Sequence, residues 1–185
     1  MARADWVSPA GRKIAFCLLG SEGEEHGRTI AVYELEPGRA SRIYLDMDRG
    51  FHPWAITCAE LDGDSLPEVA VGAYKRTRFH PVLENRLLIF DWTEKDTIFA
   101  KWLGSRLGFP FESFGFARAG DGIDRLLTVE HSGRERLVLR QYHWNGFGFS
   151  HDRDRVRTEN PDDYDKARDR LNRMMRELEN KGVEP

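Results

Sequence analysis

One pattern of short apolar segments occurs three times along this chain of 185 residues, and it restricts the possible folds more than any other feature. Each pass contains three such segments separated by polar loops. The passes begin with KIAFCLLG at 13–20, EVAVGAY at 68–74 and RLLTVE at 125–130. Val, Ile, Leu and aromatic residues dominate the segments, and Gly, Pro, Asp and Ser bound them, which is typical of β-strands.

Another strand-like segment precedes each of the last two passes. These are HPWAITCAE at 52–60 and PFESFGFAR at 110–118. With them the repeat has four strands in about 50 residues, which is the size of a propeller blade. The sequence therefore predicts an all-β domain over residues 1–150, a partial β-propeller-like array of about three four-stranded blades. Because one sheet cannot bury both of its faces, stacked neighbours must supply the core.

The remaining residues, 151–185, predict a linker followed by one amphipathic helix. Asn160 is suited to cap this helix, Pro161 to begin it and Gly182 to end it. Apolar side chains form a stripe at helical spacing, at Tyr164, Ala167, Leu171, Met174, Met175 and Leu178. Such a helix either packs on the β domain or binds a partner.

Charge and apolar-run length argue against several classes of protein. The formal net charge is −3 with both signs interspersed, which argues against a nucleic-acid binder. No apolar run approaches the roughly 20 residues of a membrane-spanning helix. The first residues, MARADWVSPAGRK, lack an apolar signal-peptide core, so we expect either a cytoplasmic chain or a mature domain whose leader was removed. Cys17 and Cys58 are expected to be buried free thiols that can pair only if their strands are neighbours.

The loop ELDGDSLPE, residues 60–68, carries acidic side chains at alternate positions just before the apolar segment VAVG. Ca²⁺ takes six to eight oxygen ligands from carboxylates, carbonyls and water. The alternation offers five ligands to one centre, namely Glu60, Asp62, Asp64, the carbonyl of Leu66, and Glu68. The alternative is an Asx-type turn whose carboxylates accept hydrogen bonds from backbone N–H groups without a metal. We name residues 60–68 the acidic loop.

The acidic loop resembles the calcium loop of FG-GAP (VCBS-type) repeats, with the pattern D-x-D-G-D-G-x-x-[DE] before the first strand of each blade. The segments VGAYKRTRFHPVLENR, WLGSRL, PFESFGFA and YHWNGFGF extend the likeness over roughly residues 50–150. The sequence departs from the pattern at Glu60, where the family has Asp, and at Ser65, where it has Gly. The resemblance implies a propeller-like β domain, usually exported, that serves adhesion or protein recognition, and it implies no enzymatic activity.

The corresponding loop of the third pass, FARAGDGIDRLL, is expected to be free of metal. Arg118 stands where the first ligand would be, and Arg125 stands where the closing carboxylate would be. Only Asp121 and Asp124 remain acidic. The first pass has no carboxylate in the equivalent segment, so we expect one Ca²⁺ site at most.

A second loop, residues 75–86, is long for a connection between two strands of one sheet and is rich in cations. Lys75, Arg76, Arg78 and His80 are expected to bind an anionic group together with Arg86 and Arg106. The alternative is internal salt bridges to Glu84 or Asp91. We name residues 75–86 the cationic loop.

The motifs of common hydrolases, zinc enzymes and redox proteins are absent from the sequence. We therefore expect a non-catalytic binding or interaction module with one structural Ca²⁺ site. The alternative function is a small enzyme or an anion receptor that uses the cationic loop.

Three blades are fewer than the four to eight of a closed propeller, so the array would have open edges. Either the helix covers the open side, with Leu171, Met174 and Leu178 turned inward, or two chains form a homodimer. The sequence favours the homodimer slightly, because the apolar stripe of the helix is narrow.

Overall fold

The structure is a computed structural model that describes residues 2–20, 29–46, 52–78, 80–104, 106–133, 136–157 and 164–183. Within these ranges the chain forms two compact units, one of residues 1–60 and 64–105 and the other of residues 61–63 and 106–185. The C-terminal helix therefore belongs to the same unit as the third pass of the repeat. The division of the sequence into residues 1–150 and 151–185 stays a prediction.

The described residues form three four-stranded antiparallel sheets, in which the strands follow one another in chain order. The first sheet contains β1 (Arg3–Val7), β2 (Lys13–Leu19), β3 (Thr29–Glu36) and β4 (Arg39–Asp46). The second contains β5 (His52–Ala59), β6 (Glu68–Lys75), β7 (Glu84–Trp92) and β8 (Ile98–Trp102). The third contains β9 (Phe111–Arg118), β10 (Asp124–His131), β11 (Leu137–Trp144) and β12 (Phe149–Arg157). This confirms the all-β prediction, with three sheets of four strands.

Two strands differ from the sequence analysis. β1 was not recognised, because only five residues pair with β2 and their exposure alternates at the edge of the sheet. β12 continues to Arg157, through polar residues that were assigned to a linker. Ion pairs hold its polar side chains, since Asp154 bonds to Arg140 at 2.8 Å and to Arg157 at 2.5 Å, while Val156 packs on the apolar core.

In the first unit, the first two sheets share one apolar core. Alternate residues of β2 and β3 contribute Ile14, Phe16 and Val32, while β6 and β7 contribute Val71 and Phe90. Trp92 fills the space between the two sheets, with its ring centroid 5.3 Å from that of Phe16 in an edge-to-face arrangement. Neighbouring sheets thus bury each other's faces in this unit, as the repeat requires.

Arg12 adds a polar link at the edge of the same core. Its guanidinium bonds to Glu34 at 2.8 Å and to both carboxylate oxygens of Asp96, at 2.7 and 2.8 Å. Asp96 lies in the β7–β8 turn with a left-handed φ of 56°. The hydrogen bond from Arg12 lowers the pKa of Glu34, because it favours the charged carboxylate.

In the second unit, the helix α1 (Tyr164–Lys181) packs on the sheet β9–β12. Its buried side chains are Ala167, Leu171 and Met175, which join the core formed by β9, β10 and β11. At the edge strand β9, Phe116 N donates to Glu179 at 3.2 Å. The predicted apolar stripe therefore faces a sheet, whereas the expected capping residues 160–163 lie outside the described residues.

The helix ends as the sequence predicts. Gly182 has a φ of 79°, and its N–H donates to the carbonyl of Leu178 at 2.8 Å. A Cβ at this position would lie 2.7 Å from the carbonyl oxygen of Arg118, so only glycine fits. Both cysteines are free thiols, Cys17 buried and Cys58 half-buried. In the described part of the chain, no helix has the length and apolar content to cross a membrane.

Candidate functional site

The acidic loop connects β5 to β6, and it brings together three of the four predicted carboxylate ligands. One carboxylate oxygen from each of Glu60, Asp62 and Glu68 lies within 4.8 Å of the others. Asp64 is outside this group, and its Oδ1 accepts a hydrogen bond from the N–H of Leu66 at 2.7 Å. The loop therefore combines both expectations from its sequence, a convergence of acids and an Asx-type turn.

The backbone of the acidic loop is strained at one position. Gly63 has a φ of 85°, which costs glycine little. Ser65 has a φ of 68°, in the left-handed region where a side chain is disfavoured. The repeat pattern has glycine at this place, so the serine adopts the conformation that the family pattern implies at a cost of about 1–2 kcal/mol.

The charge of the cluster is partly balanced by Lys101 on β8. Its ammonium forms a very short ion pair with the buried carboxylate of Glu68 and bonds to Asp91 at 2.9 Å. Three carboxylates and one ammonium leave an excess of negative charge, which suits a hard divalent cation. Because Lys101 also pairs with Asp91, it would keep a partner if a cation took over Glu68.

In the equivalent loop of the third sheet, the aspartates pair with arginine side chains. Arg118 bonds to Asp124 at 2.7 Å, and Arg125 bonds to Asp121 at 2.6 Å. Asp121 also accepts the N–H of Ile123 at 3.0 Å, as Asp64 does for its own loop. These ion pairs lower the pKa of Asp121, because the hydrogen bond from Arg125 favours the carboxylate.

The strand pairing corrects one detail of the sequence comparison. Glu68 is the first residue of β6 and pairs with Ala59, while Asp124 is the first residue of β10 and pairs with Arg118. The counterpart of Glu68 is therefore Asp124 and not Arg125. By the same pairing Arg118 corresponds to Ala59, so Ala119 and not Arg118 follows β9 at the place of Glu60.

The cationic loop is organised around Arg86, whose side chain is only 1% exposed. Its Nη1 bonds to Glu84 at 2.7 Å, and its Nη2 donates to the carbonyl of Val82 at 2.9 Å and to that of His80 at 3.2 Å. Its Nε reaches the carbonyl of Lys75 at 3.5 Å. The structure thus places Arg86 inside the loop as its internal cation, rather than on the surface with the other predicted ligands.

The other predicted ligands differ in their exposure, and of these His80 contacts Arg86 through its side chain, with Nδ1 2.6 Å from Nη2. Arg76 and Arg78 are exposed, while Lys75 and His80 are half-buried. Arg106 is exposed and belongs to the second compact unit. Exposed apolar side chains also lie on the cationic loop and at Tyr74, the residue before it. Those on the loop are Pro81, Val82 and Leu83.

A buried carboxylate that the sequence analysis did not single out lies in the second unit. Glu130 on β10 is fully buried, and its Oε1 accepts hydrogen bonds from Thr128 and Tyr142, each at 2.6 Å. Its Oε2 accepts the N–H of Phe109 at 2.9 Å and lies 3.5 Å from Arg140. Burial raises the pKa of Glu130, although these donors oppose the shift.

A sequence signal for this network exists. Thr128 and Glu130 interrupt the apolar segment RLLTVE at alternate positions, so they share one face of β10. Polar side chains on a face that is buried must find partners, and two of the donors come from the neighbouring strand β11. Which donors these are depends on the strand pairing, which the sequence does not display.

Comparison with known proteins finds no family model that matches this sequence and no curated protein that is significantly similar to it. The likeness to FG-GAP (VCBS-type) repeats therefore depends on the acidic loop and the ordered segments quoted above. It stays a prediction.

Proposed function

We propose that this chain is a non-catalytic interaction module of the FG-GAP (VCBS) type, which binds another protein through its cationic loop. The observation that carries the proposal is the loop's construction. Exposed Arg76 and Arg78 lie among exposed apolar side chains, on a backbone that buried Arg86 holds by three carbonyl oxygens. The three four-stranded sheets support a blade-like arrangement as part of the same proposal.

The composition of this surface suits a protein partner. Arginine and tyrosine are enriched in protein interfaces, and the strongest contributions to binding come from such residues beside apolar contacts. A loop that is already ordered loses less conformational entropy on binding. Because Arg76 and Arg78 are cationic, the partner is expected to present acidic residues beside apolar ones.

The alternative, a small enzyme or an anion receptor built on the same loop, has less support. It requires Arg86 to face the ligand, whereas the guanidinium is buried and bonds to Glu84 at 2.7 Å. His80 Nδ1 lies 2.6 Å from Arg86 Nη2, so this imidazole nitrogen also faces the interior of the loop.

A displayed peptide library selected on the full-length chain tests the proposal. We expect enriched peptides to combine acidic with aromatic or aliphatic residues. Their affinity is expected to fall about tenfold or more for the double variant Arg76→Ala/Arg78→Ala, since hot-spot arginines contribute at least about 1–2 kcal/mol each. The double variant Arg170→Ala/Arg173→Ala, on the exposed face of α1, is the charge-matched control. Equal binding by both double variants would contradict the proposal.

The same proposal includes Ca²⁺ as a structural cofactor at Glu60, Asp62 and Glu68. The three carboxylates that converge in the acidic loop support it, because like charges at this spacing repel unless a cation balances them. When bound, Ca²⁺ would fix the start of β6 and relieve this repulsion. Asp64 would act indirectly, by holding the turn through the N–H of Leu66.

Addition of Ca²⁺ is therefore expected to raise the melting temperature of the full-length chain relative to EDTA. Binding only to the folded loop stabilises it by about 2.7 kcal/mol when free Ca²⁺ is a hundredfold above its Kd. Asp62→Asn should abolish the difference, whereas Asp121→Asn in the third-sheet loop should preserve it. Equal melting of the wild type in Ca²⁺ and in EDTA would exclude the cofactor.

A further inference from the structure

A polar cleft of about 410 Å³ lies on the second unit, away from both loops in the sequence, at the ends of β10, β11 and β12. Its walls are charged or polar side chains, namely Arg125, Gln141, His143, Asp152 and Arg153. The apolar core under α1 uses the preceding residues of the same face of β11, Leu137 and Leu139. The face of this strand thus changes from apolar to polar where the cleft begins.

Gln141 forms the floor of the cleft and is only 2% exposed. Arg155 Nε donates to its Oε1 at 2.7 Å, and a second nitrogen of the same guanidinium also donates to that oxygen. This fixes the amide orientation, because only the oxygen can accept from a guanidinium. The amide Nε2 then donates to Asp152 Oδ2 at 3.1 Å.

The same hydrogen-bonded chain orients His143. Asp152 Oδ1 forms a very short hydrogen bond with His143 Nδ1, which places a proton on that nitrogen. The other ring nitrogen, Nε2, is left to accept a hydrogen bond or, when protonated, to donate one. Arg155, Gln141 and Asp152 therefore act together to position one imidazole at a half-exposed site.

The remaining charges of the cleft are cationic. Arg153 is exposed on β12. The Arg125 guanidinium bonds to Asp121 at 2.6 Å and to the carbonyl of Ile123 at 3.4 Å. The one carboxylate of the lining, Asp152, is already bonded to His143 and Gln141. The lining thus holds two guanidinium groups, an imidazole and one carboxylate whose oxygens have donors, and Asp121 outside the lining pairs with Arg125.

We propose that this cleft binds the phosphate group of a small phosphorylated molecule. Arg125 and Arg153 would bond to the phosphate oxygens, since the guanidinium fork matches this anion, and His143 Nε2 would share a proton with it. The cleft falls within the range of volumes of small-molecule sites, about 300–1,000 Å³, so it has room for an organic group beside the phosphate. This site is independent of the cationic loop and of its proposed partner.

NMR titration of the full-length chain with inorganic phosphate tests the proposal, at ionic strength held constant with sodium chloride. We expect saturable shifts of the His143 ring and Gln141 side-chain signals. Arg153→Gln is expected to weaken binding about tenfold or more, because it removes a charge-assisted bond from an exposed position. Arg157→Gln, on the same strand but outside the cleft, is the matched control. Glycerol 3-phosphate should bind more tightly than free phosphate.

Several results would overturn the proposal. Shifts that do not saturate, or that sodium chloride reproduces, would show that the cleft has no phosphate site. Equal affinity of Arg153→Gln and Arg157→Gln for phosphate would show that the anion binds elsewhere. If glycerol 3-phosphate binds no more tightly than phosphate, the cleft does not recognise the organic group. Unchanged strand amide signals establish that both variants are folded.

Discussion

Replacement of Glu130 by alanine is expected to lower the free energy of unfolding by about 3–5 kcal/mol. This is the usual cost of removing one partner from a buried charged pair. The variant leaves the hydroxyls of Thr128 and Tyr142 and the N–H of Phe109 without their acceptor. Arg140, 3.5 Å away, keeps its charge beside the vacated space. Each unsatisfied buried group costs about 1–3 kcal/mol, so the losses are large even if the network relaxes.

Denaturant unfolding, followed at amide signals of β10 and β11, measures this effect. Glu177→Ala is the matched control, because Glu177 is exposed on α1 and a surface substitution changes stability by about 0.5 kcal/mol or less. Tyr142→Phe removes a single donor and is expected to cost about 1–2 kcal/mol. If Glu130→Ala were no more destabilising than Glu177→Ala, the network would not contribute to stability.

The same carboxyl group predicts a pH dependence. Because the pKa of Glu130 is raised above its ordinary value of 4.5, the folded state holds this proton more tightly than the unfolded state. Its contribution to stability is therefore fully present below about 4.5 and is lost as pH rises through the raised pKa. The unfolding free energy of the wild type minus that of Glu130→Gln should fall with rising pH across this window. A constant difference would show that Glu130 titrates normally.

Replacement of Arg86 by methionine is expected to destabilise the first unit by about 3–5 kcal/mol, since it leaves buried groups without their cation. Glu84 would lose its contact with Arg86 and keep that with His80 at 3.2 Å, and the carbonyls of Val82 and His80 would lose their donor. Arg86→Lys should recover part of the loss, because an ammonium keeps the charge but cannot make the same fork of hydrogen bonds.

Hydrogen exchange locates this effect. Within the cationic loop, the Thr77 N–H donates to the carbonyl of His80 and the His80 N–H donates to the hydroxyl of Thr77, each at 3.2 Å. Both amides should exchange faster in Arg86→Met. Arg76→Met is the matched control, because Arg76 is exposed and its replacement should change neither stability nor exchange. Unaltered exchange in Arg86→Met would mean that Arg86 does not order the loop.

Local patterns in the sequence were sufficient to predict the elements of this fold. Segments rich in β-branched and aromatic residues predicted eleven of the twelve strands, β12 only at its start, and the predicted segments agree closely with β6, β7 and β11. The helical stripe predicted α1, whose buried residues Ala167, Leu171 and Met175 all belong to it. Gly182 and Ser65 adopt the positive φ angles that their places in a helix end and a tight loop require.

The candidate sites were predicted less completely, because they depend on partners from distant strands. The acidic loop was recognised, but its geometry separates Asp64 from Glu60, Asp62 and Glu68. The cationic loop was also recognised, but one of its cations, Arg86, is buried. Its partners are Glu84, which the alternative of internal salt bridges predicted, and backbone carbonyls of the same loop, whose directions the sequence does not show.

The sequence by itself determined the helix and the strands other than β1 and the end of β12, because each depends on a period or a residue type within a few neighbours. The tertiary structure alone decided which charges are buried. Glu130 is buried only because β11 brings Tyr142 and Arg140 beside it, and His143 is oriented only because β12 supplies Asp152 and Arg155. Burial of a charge costs several kcal/mol unless donors surround it, and those donors come together only when the sheet has formed.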